Sequence, residues 1–253
     1  MAYERPYYED INYRPYLYYV VFGVKDEELQ VSRERHHVDA FPEGLDFLFY
    51  NRSEHGDYLN ELLGGTLGEV LDRDDHDLYT AVRQTERWAV IRGEVQEDAD
   101  LHYMRNAIGF VQALVENGAV GVLDLQTLHL MTAETWATEF FQPEFTPFDH
   151  ATILVSEMDS GALWLHTRGM RKFGRPDISI ENVPKNDMEM AAKVVNQMIY
   201  YGVLGAFFAR PFKLHTPDGA CIVQPEFVDD MECPDFNNAY YRILWDACAW
   251  EKE

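Results

Sequence analysis

Residues 87–125 constrain the fold more than any other part of the sequence. RWAVIRGEV (87–95) is rich in β-branched and aromatic residues and predicts a strand. Acidic residues then favour the start of a helix, and apolar residues follow at spacings of three and four: Leu101, Met104, Ile108, Val111 and Val115. Asn117-Gly118 predicts the end of this helix, and VGVLDL (120–125) predicts the next strand. Such a unit permits direct parallel pairing of its two strands or a split arrangement with another strand between them.

The second half of the chain predicts a hairpin followed by a further strand. TILVSEM (152–158) and ALWLHT (162–167) flank the turn sequence Asp159-Ser160-Gly161, and DISIENV (177–183) alternates apolar and polar residues. Helices are predicted near 186–202 and, with Asn237 and Asn238 as caps, at 237–248. Because strands and helices are interspersed with hairpins, we expect an α+β fold. It would have mixed, largely antiparallel sheets with helices packed on them, in two abutting α/β-sandwich halves.

The length of 253 residues fits one large domain or two closely packed ones. Residues 1–15 are polar and aromatic without periodicity, which predicts a loose N-terminal tail. We expect an N-terminal α/β half at 16–145 and a C-terminal α+β half at 146–253. One continuous domain is the alternative.

Charge and cysteine content restrict the partners and the compartment. The chain has 21 Lys and Arg against 44 Asp and Glu, a net charge of −23. Such an acidic chain repels nucleic acid and anionic membrane surfaces. No apolar run reaches the length of a membrane span, and the first residues lack the apolar stretch of a secretory signal. The three cysteines are too few and too widely spaced for a disulfide framework. We therefore expect a soluble cytoplasmic protein that binds neither nucleic acid nor membrane.

The common catalytic and cofactor-binding motifs are missing. We find no phosphate-binding loop, dinucleotide fingerprint, nucleophile elbow or zinc-binding His-Glu-x-x-His pattern, and we expect no cofactor and no metal. RERHH (33–37) groups two arginines with two histidines, which we interpret as surface polarity. His150, Glu157 and His166 lie on or beside the predicted hairpin and have the chemistry of metal ligands. Structural, hydrogen-bonded histidines are the preferred interpretation.

One loop gathers positive charge in this acidic chain. Arg168, Arg171, Lys172 and Arg175 fall within eight residues, and Gly169, Gly174 and Pro176 shape the backbone around them. Arginine side chains can hold a carboxylate or phosphate with two parallel hydrogen bonds, so the four are candidates for binding an anion or an acidic partner. Pairing with the protein's own carboxylates is the alternative. We further expect an ordered loop over 168–176, anchored by Met170 and Phe173, with Arg171 and Lys172 facing solvent.

The string LWLHTRGMRKFGRPDI (163–178), preceded by GAVGVLDLQTLHLMTAETW (118–136), resembles a family of uncharacterised bacterial proteins, a domain of unknown function. Its members share a similar His-Thr-x-Gly-x-x-x-Phe-Gly-x-Pro-acidic string after a hairpin. The similarity covers about residues 87–205. The resemblance implies an α+β fold and a bacterial cytosolic setting, and it carries no catalytic residues across.

Two classes of function remain open. The first is a binding or interaction module, whose partner is another protein or a small anionic ligand. The alternative is an enzyme that acts on a small anionic substrate at the 166–175 loop. In that case His166 would act as acid or base, with Glu157 or Asp159 nearby and the arginines holding the anion.

Overall fold

The computed structural model of the protein describes residues 3–25, 28–216 and 219–251. Helices pack on sheets whose strands are mostly antiparallel, which confirms the predicted α+β class. The chain divides into two compact units, the first formed by Met1–Tyr3 and Tyr16–Phe145 and the second by Glu4–Pro15 and Thr146–Glu253. None of the helices in the described ranges combines the length and the apolar composition that a membrane span requires.

A five-stranded sheet in the order β2-β3-β1-β4-β5 forms the centre of the first unit, and every neighbouring pair is antiparallel. Its strands are β1 (Tyr16–Phe22), β2 (Leu45–Asn51), β3 (Arg87–Glu94), β4 (Gly121–Asp124) and β5 (His129–Thr132). Since β1 lies between β3 and β4, residues 87–125 adopt the split arrangement and the two predicted strands do not pair directly. The side chains of Tyr19, Val20, Val21 and Phe22 have no exposed surface, which suits a strand in the middle of a sheet.

Helices cover the sheet of the first unit. They are α1 (Arg33–His36), α2 (Arg52–Leu62), α3 (Gly65–Asp74), α4 (His76–Arg83), α5 (His102–Glu116) and α6 (Ala133–Thr135), which continues as a π-helical turn over Trp136–Phe140. Leucines of α2, α3 and α4 form one apolar cluster with Val20, Phe22 and Trp88. Helix α5 packs against β1 through its predicted apolar stripe, of which only Val115 is partly exposed. Alternation along β1 places Tyr19 and Val21 on the face opposite the cluster.

The second unit contains a five-stranded sheet in the order β11-β12-β8-β7-β6 and a three-stranded sheet in the order β13-β10-β9. The strands are β6 (Thr152–Glu157), β7 (Leu163–Arg168), β8 (Asp177–Val183), β9 (Phe212–Thr216), β10 (Gly219–Val223), β11 (Glu226–Val228), β12 (Tyr240–Leu244) and β13 (Ala249–Glu251). Short 3-10 turns span Pro147–Asp149, Met170–Phe173, Lys185–Asp187 and Trp245–Ala247. Helix α7 (Met188–Val203) packs on β7 and β8. Only the pair β8–β12 is parallel among the described strands.

The helix predicted at 237–248 is wrong, because this region contains β12 and a 3-10 turn. Tyr241 and Ile243 are buried at 2% and 1% exposure, whereas Leu244 on the alternate face is 43% exposed. A five-residue stretch such as YYRIL is compatible with either a strand or a helix. Hydrogen bonding to β8 makes this stretch a strand. The local sequence does not predict that pairing.

The expected loose tail is also wrong for residues 4–15, which pack within the second unit. Arg5 is only 5% exposed, and its guanidinium donates hydrogen bonds to the carbonyl oxygens of Val203 at 3.1 Å and Phe173 at 2.8 Å. Backbone hydrogen bonds from Tyr7 to Leu204 and from Glu9 to Gly205 hold the same segment. Arg5 is thus buried because its donors find main-chain acceptors, whereas most residues of the segment stay exposed or half-buried. Residues 1 and 2 of the predicted tail lie outside the described residues.

Candidate functional site

The loop that carries the predicted cationic site connects β7 to β8 and is ordered, as predicted. Its 3-10 turn buries the side chains of Met170 and Phe173, which are 1% and 0% exposed. Gly169 and Gly174 on either side of the turn have φ values of 109° and 58°. A Cβ atom at Gly174 would lie 2.5 Å from the carbonyl oxygen of Tyr13, so a side chain there is sterically excluded. The buried side chains of Met170 and Phe173 and the two glycines therefore determine the backbone path of the loop, and with it the positions of the Cα atoms of the cationic residues.

Arg168 and Arg171 donate hydrogen bonds to the main chain of the segment that precedes β12. Arg168 Nη1 lies 2.8 Å from the carbonyl oxygen of Asp235, and Arg171 Nη1 lies 2.9 Å from that of Asn237. Both side chains are partly exposed. Their acceptors are neutral carbonyl groups held in place by the backbone, so these two arginines fasten one segment of the unit to another.

Arg175 and Lys172 are buried, and the expectation that Lys172 faces solvent is wrong. Arg175 is 2% exposed, and its guanidinium donates to the carbonyl oxygens of Gly174 at 2.8 Å, Glu9 at 2.7 Å and Gly205 at 2.5 Å. Its guanidinium carbon also lies 5.6 Å from the centre of the Tyr8 ring. A buried charge requires such compensation from hydrogen bonds. Arg168 and Arg171 therefore reach the segment before β12, whereas Arg175 reaches Glu9 and Gly205, and these contacts do not gather the three arginines around one ligand position.

A buried carboxylate stabilises the C-terminal end of the loop. Asp177 has no exposed surface and accepts hydrogen bonds from Thr167 Oγ1 at 2.7 Å, Asn238 Nδ2 at 2.8 Å and the backbone nitrogen of Met170 at 3.3 Å. Burial raises the pKa of Asp177 to about 6, although the three donors and the nearby Arg168 act in the opposite direction. Asp177 thus links β7, the loop and the start of β12.

The fold does not form the acid–base site expected for the alternative enzyme, which consists of His166 with Glu157 or Asp159 nearby. His166 is 6% exposed, with its ring stacked on Trp164 at 4.0 Å between ring centres and its edge against Phe236 at 5.7 Å. Burial lowers the pKa of His166, so the neutral imidazole is favoured. Glu157 pairs with Leu163 in the sheet register and forms an exposed ion pair with Lys185 at 2.8 Å. Asp159 lies in the turn of the hairpin, beyond both strands.

The possible metal ligands of the hairpin also remain apart. His150 is 2% exposed, and burial together with the positive charge of Lys172 lowers its pKa well below the ordinary value. Glu157, in contrast, lies on the exposed end of β6. Within the described ranges, no group of three or more His, Cys, Asp or Glu side chains is arranged to hold a metal ion.

A more promising site lies in the first unit, in a cleft of 330 Å³ that we call the Asp39 cleft. It is lined by Tyr3, Arg33, His37, Asp39, Arg105, Gln142 and Pro143. The carboxylate of Asp39 pairs with two guanidinium groups, since Oδ1 lies 2.6 Å from Arg33 Nε and Oδ2 accepts a hydrogen bond from Arg105 Nη2. The cleft therefore brings a cationic residue of the RERHH sequence next to a cationic residue of α5.

Local structure positions the lining residues. Ser32 caps α1 by accepting a hydrogen bond from the backbone nitrogen of Arg35, and α1 ends at His37, whose φ of 57° is left-handed. The chain then turns so that the backbone nitrogen of Asp39 donates to Asn106 Oδ1 at 3.1 Å, which ties it to α5. The ring of His37 stacks on Phe141 at 5.5 Å.

The Asp39 cleft carries more positive than negative charge. Two guanidinium groups share one carboxylate, so one positive charge remains among the three. Arg105 Nε is buried and has no hydrogen-bond acceptor among the described residues. The guanidinium of Arg105 lies 5.9 Å from the centre of the Tyr3 ring, and burial raises the pKa of the Tyr3 hydroxyl. The cleft thus offers donors without a matching set of acceptors.

A larger cleft of 590 Å³ in the same unit has the opposite character. Its acidic lining residues are Glu43, Glu97, Asp98 and Asp100. Asp100 accepts a hydrogen bond from the backbone nitrogen of His102 at 2.8 Å and pairs with the His102 imidazole at 3.1 Å. These carboxylates repel anions, and the Asp100 contacts belong to the first turn of α5.

The sequence drew attention to Arg33 and His37 and interpreted them as surface polarity, and both side chains are exposed. Arg105 and Asp39 were not singled out, because no spacing along the chain predicts that α5 meets the segment after α1. The signal available was limited to an arginine and a histidine four residues apart, at the first residue and the C-cap of a short helix. Comparison with known proteins adds no assignment, since no family model, curated protein or solved structure matches the chain.

Proposed function

We propose that the protein is a binding protein whose first unit takes a small anion, carrying a carboxylate or phosphate group, in the Asp39 cleft. The observation that carries this proposal is the sharing of one carboxylate by Arg33 and Arg105 at the border of the cleft. The arrangement already has a carboxylate bound by two arginines, which is the interaction that an external anion would make.

The exposure of the two arginines supports an exchange of partners. The side chain of Arg33 is 84% exposed and Asp39 is 37% exposed, so their ion pair is surrounded by solvent and contributes little stability. Arg105 is 26% exposed, and packing holds it more firmly. An incoming anion can therefore take the exposed donors of Arg33 without breaking a buried contact.

The alternative function, an enzyme at the 166–175 loop, has less support. Arg168, Arg171 and Arg175 are occupied by main-chain carbonyl groups, and His166 is enclosed by aromatic rings. An anionic substrate would have to displace contacts that hold the second unit together. Binding at the Asp39 cleft requires no such rearrangement.

Titration calorimetry with inorganic phosphate and with succinate tests this proposal. We expect both anions to bind wild-type protein, with affinity that falls as salt concentration rises. Arg33→Gln and Arg105→Gln should each weaken binding by roughly tenfold to a hundredfold, the value of one charge-assisted hydrogen bond. Asp39→Asn should tighten binding, because the ligand no longer competes with an internal carboxylate. A preference for phosphate or for succinate distinguishes the two ligand classes.

Arg73→Gln is the matched control, since Arg73 is 72% exposed and pairs with a neighbouring carboxylate on α3. It removes the same charge without touching the cleft and should leave both affinities unchanged. If neither anion binds wild type or Asp39→Asn, the three residues form only an internal ion network and the proposal is wrong. Equal losses in Arg73→Gln and Arg33→Gln would also contradict it.

A further inference from the structure

The outer edge of β6 is an accessible strand edge of the second unit. β6 occupies the end of the five-stranded sheet and pairs with β7 along its whole length, from Thr152 opposite Arg168 to Glu157 opposite Leu163. No further strand lies beyond it in the part of the chain that the structure describes. Half of its backbone N–H and C=O groups therefore point away from the sheet, which is a template for an additional strand.

Apolar side chains on β6 are exposed on both faces of the sheet. Leu154 lies opposite His166 and is 38% exposed, and Val155 lies opposite Leu165 and is 48% exposed. Adjacent residues of a strand point to opposite faces, so a strand added at this edge would cover both. The only charged residue of the strand is Glu157 at its last position, and β6 contains no lysine or proline. The usual features that protect an edge strand from pairing are therefore missing.

The other edges of the two five-stranded sheets are less suited to pairing. β11 has three residues, and Glu226 on it forms an ion pair with Arg242 at 2.6 Å. β5 has four residues and leads directly into α6. β2 has seven residues and is long enough for pairing. The ring of Phe47 on β2, however, is in contact with the rings of Phe41 and Phe110. Among these edges, β6 combines length, exposure and apolar character.

We infer that the outer edge of β6 binds an extended, basic segment of a partner protein by strand addition. Main-chain hydrogen bonds would provide affinity, and the exposed Leu154 and Val155 would select apolar residues on the added strand. This inference concerns the second unit and is independent of the anion site proposed for the first.

The charge of the chain argues for a basic partner in preference to a second copy. Each chain carries a net charge of −23, so two copies repel each other. The ends of the strand are acidic as well, with Asp149 before it and Glu157 and Asp159 after it. Lys185 offsets Glu157 only in part, because both side chains stay more than half exposed. A strand that alternates basic and apolar residues complements this edge in both charge and hydrophobicity.

A short peptide of alternating lysine and valine is the probe for a test by fluorescence anisotropy and hydrogen exchange. We expect it to bind the full chain and to slow amide exchange at residues 152–157, with affinity that falls as salt rises. The same peptide with N-methylated backbone nitrogens should not bind, because it cannot donate main-chain hydrogen bonds. A peptide of alternating glutamate and valine should not bind either.

Leu154→Lys and Leu244→Lys are a matched pair of variants, since both leucines lie on the same sheet at 38% and 43% exposure. Leu154→Lys should weaken binding by roughly tenfold, because it places like charges across the new strand pair. Leu244→Lys should bind as wild type does. Thermal melts confirm that both variants fold, and Val155→Lys replaces Leu154→Lys if the latter does not.

Three results would overturn the inference. One is failure of the lysine–valine peptide to bind, and another is equal binding of its N-methylated form, which would indicate charge attraction alone. The third is equal loss of affinity in the two leucine variants. Sedimentation of the chain by itself adds a further check. Self-association that Leu154→Lys abolishes would make a second copy the occupant and would contradict the assignment of a basic partner.

Discussion

Two groups of arginines serve different purposes, and the difference lies in their acceptors. In the second unit, Arg168, Arg171 and Arg175 donate to main-chain carbonyl groups that the fold holds in place. In the first unit, Arg33 and Arg105 share the side-chain carboxylate of Asp39 beside an open cleft. The first arrangement fastens segments together, whereas the second lies beside a cleft with one positive charge in excess. A high density of arginine along the sequence therefore does not by itself mark a binding site.

The largest expected effect comes from the apolar anchor of the loop in the second unit. Phe173→Ala should lower the free energy of unfolding by roughly 3–5 kcal/mol, because the ring is fully buried and its loss leaves a cavity. Phe148→Ala is the control, since Phe148 is 46% exposed. Urea denaturation of the two variants compares them. A Phe173 variant as stable as the Phe148 variant would show that the arginines alone hold the loop.

The next effect separates the two groups of arginines directly. Arg175→Met should lower the free energy of unfolding by roughly 3–4 kcal/mol, because buried carbonyl oxygens lose their charged donors. Arg33→Gln should lower it by less than about 1 kcal/mol, because its ion pair is exposed. Thermal melts at low and high salt measure both. Similar losses in the two variants would remove the distinction between the two groups of arginines.

The buried carboxylate beside the loop predicts a pH dependence of the second unit. Burial raises the folded-state pKa of Asp177 to about 6 from the ordinary 3.8, so the folded protein holds this proton more tightly than the unfolded chain. The resulting stability is fully present below pH 3.8 and is lost as pH rises through 6. Relative to Asp177→Asn, wild type should lose about 3 kcal/mol of stability over this interval.

Urea denaturation of wild type and Asp177→Asn at a series of pH values isolates this contribution from the other carboxylates. The difference between the two proteins should change between pH 3.8 and about 7 and stay level above that. A constant difference across the series would mean that the three hydrogen-bond donors offset burial completely, so that the pKa of Asp177 is ordinary.

The smallest expected change in stability concerns Asp39, which borders the Asp39 cleft. Asp39→Asn should change the free energy of unfolding by less than about 1 kcal/mol, because both ion pairs of Asp39 are partly exposed. The same variant should bind phosphate or succinate more tightly than wild type. A large loss of stability would instead assign Asp39 a structural role equivalent to that of the carbonyl acceptors in the second unit.

The sequence by itself determined features that depend on local patterns. The helix of residues 102–116, the hairpin of β6 and β7 and the ordered loop after β7 follow from apolar spacing, turn residues and glycines. Each of these patterns involves residues that are close together in the sequence, so the structure that it predicts does not depend on contacts with distant residues. The α+β class follows from the same information, since it depends on the succession of elements and not on their final neighbours.

Only the tertiary structure decided which groups meet. Pairing with β8 makes a strand of Tyr240–Leu244, and hydrogen bonds to Val203 and Phe173 draw Arg5 into the second unit. Lys172 is buried and Arg33 is exposed, although both belong to stretches rich in basic residues. The acceptors of the Arg5 hydrogen bonds and the strand that pairs with β12 come from parts of the chain that are distant in sequence. Their identity is a property of the packed fold, and no local periodicity or turn sequence encodes it.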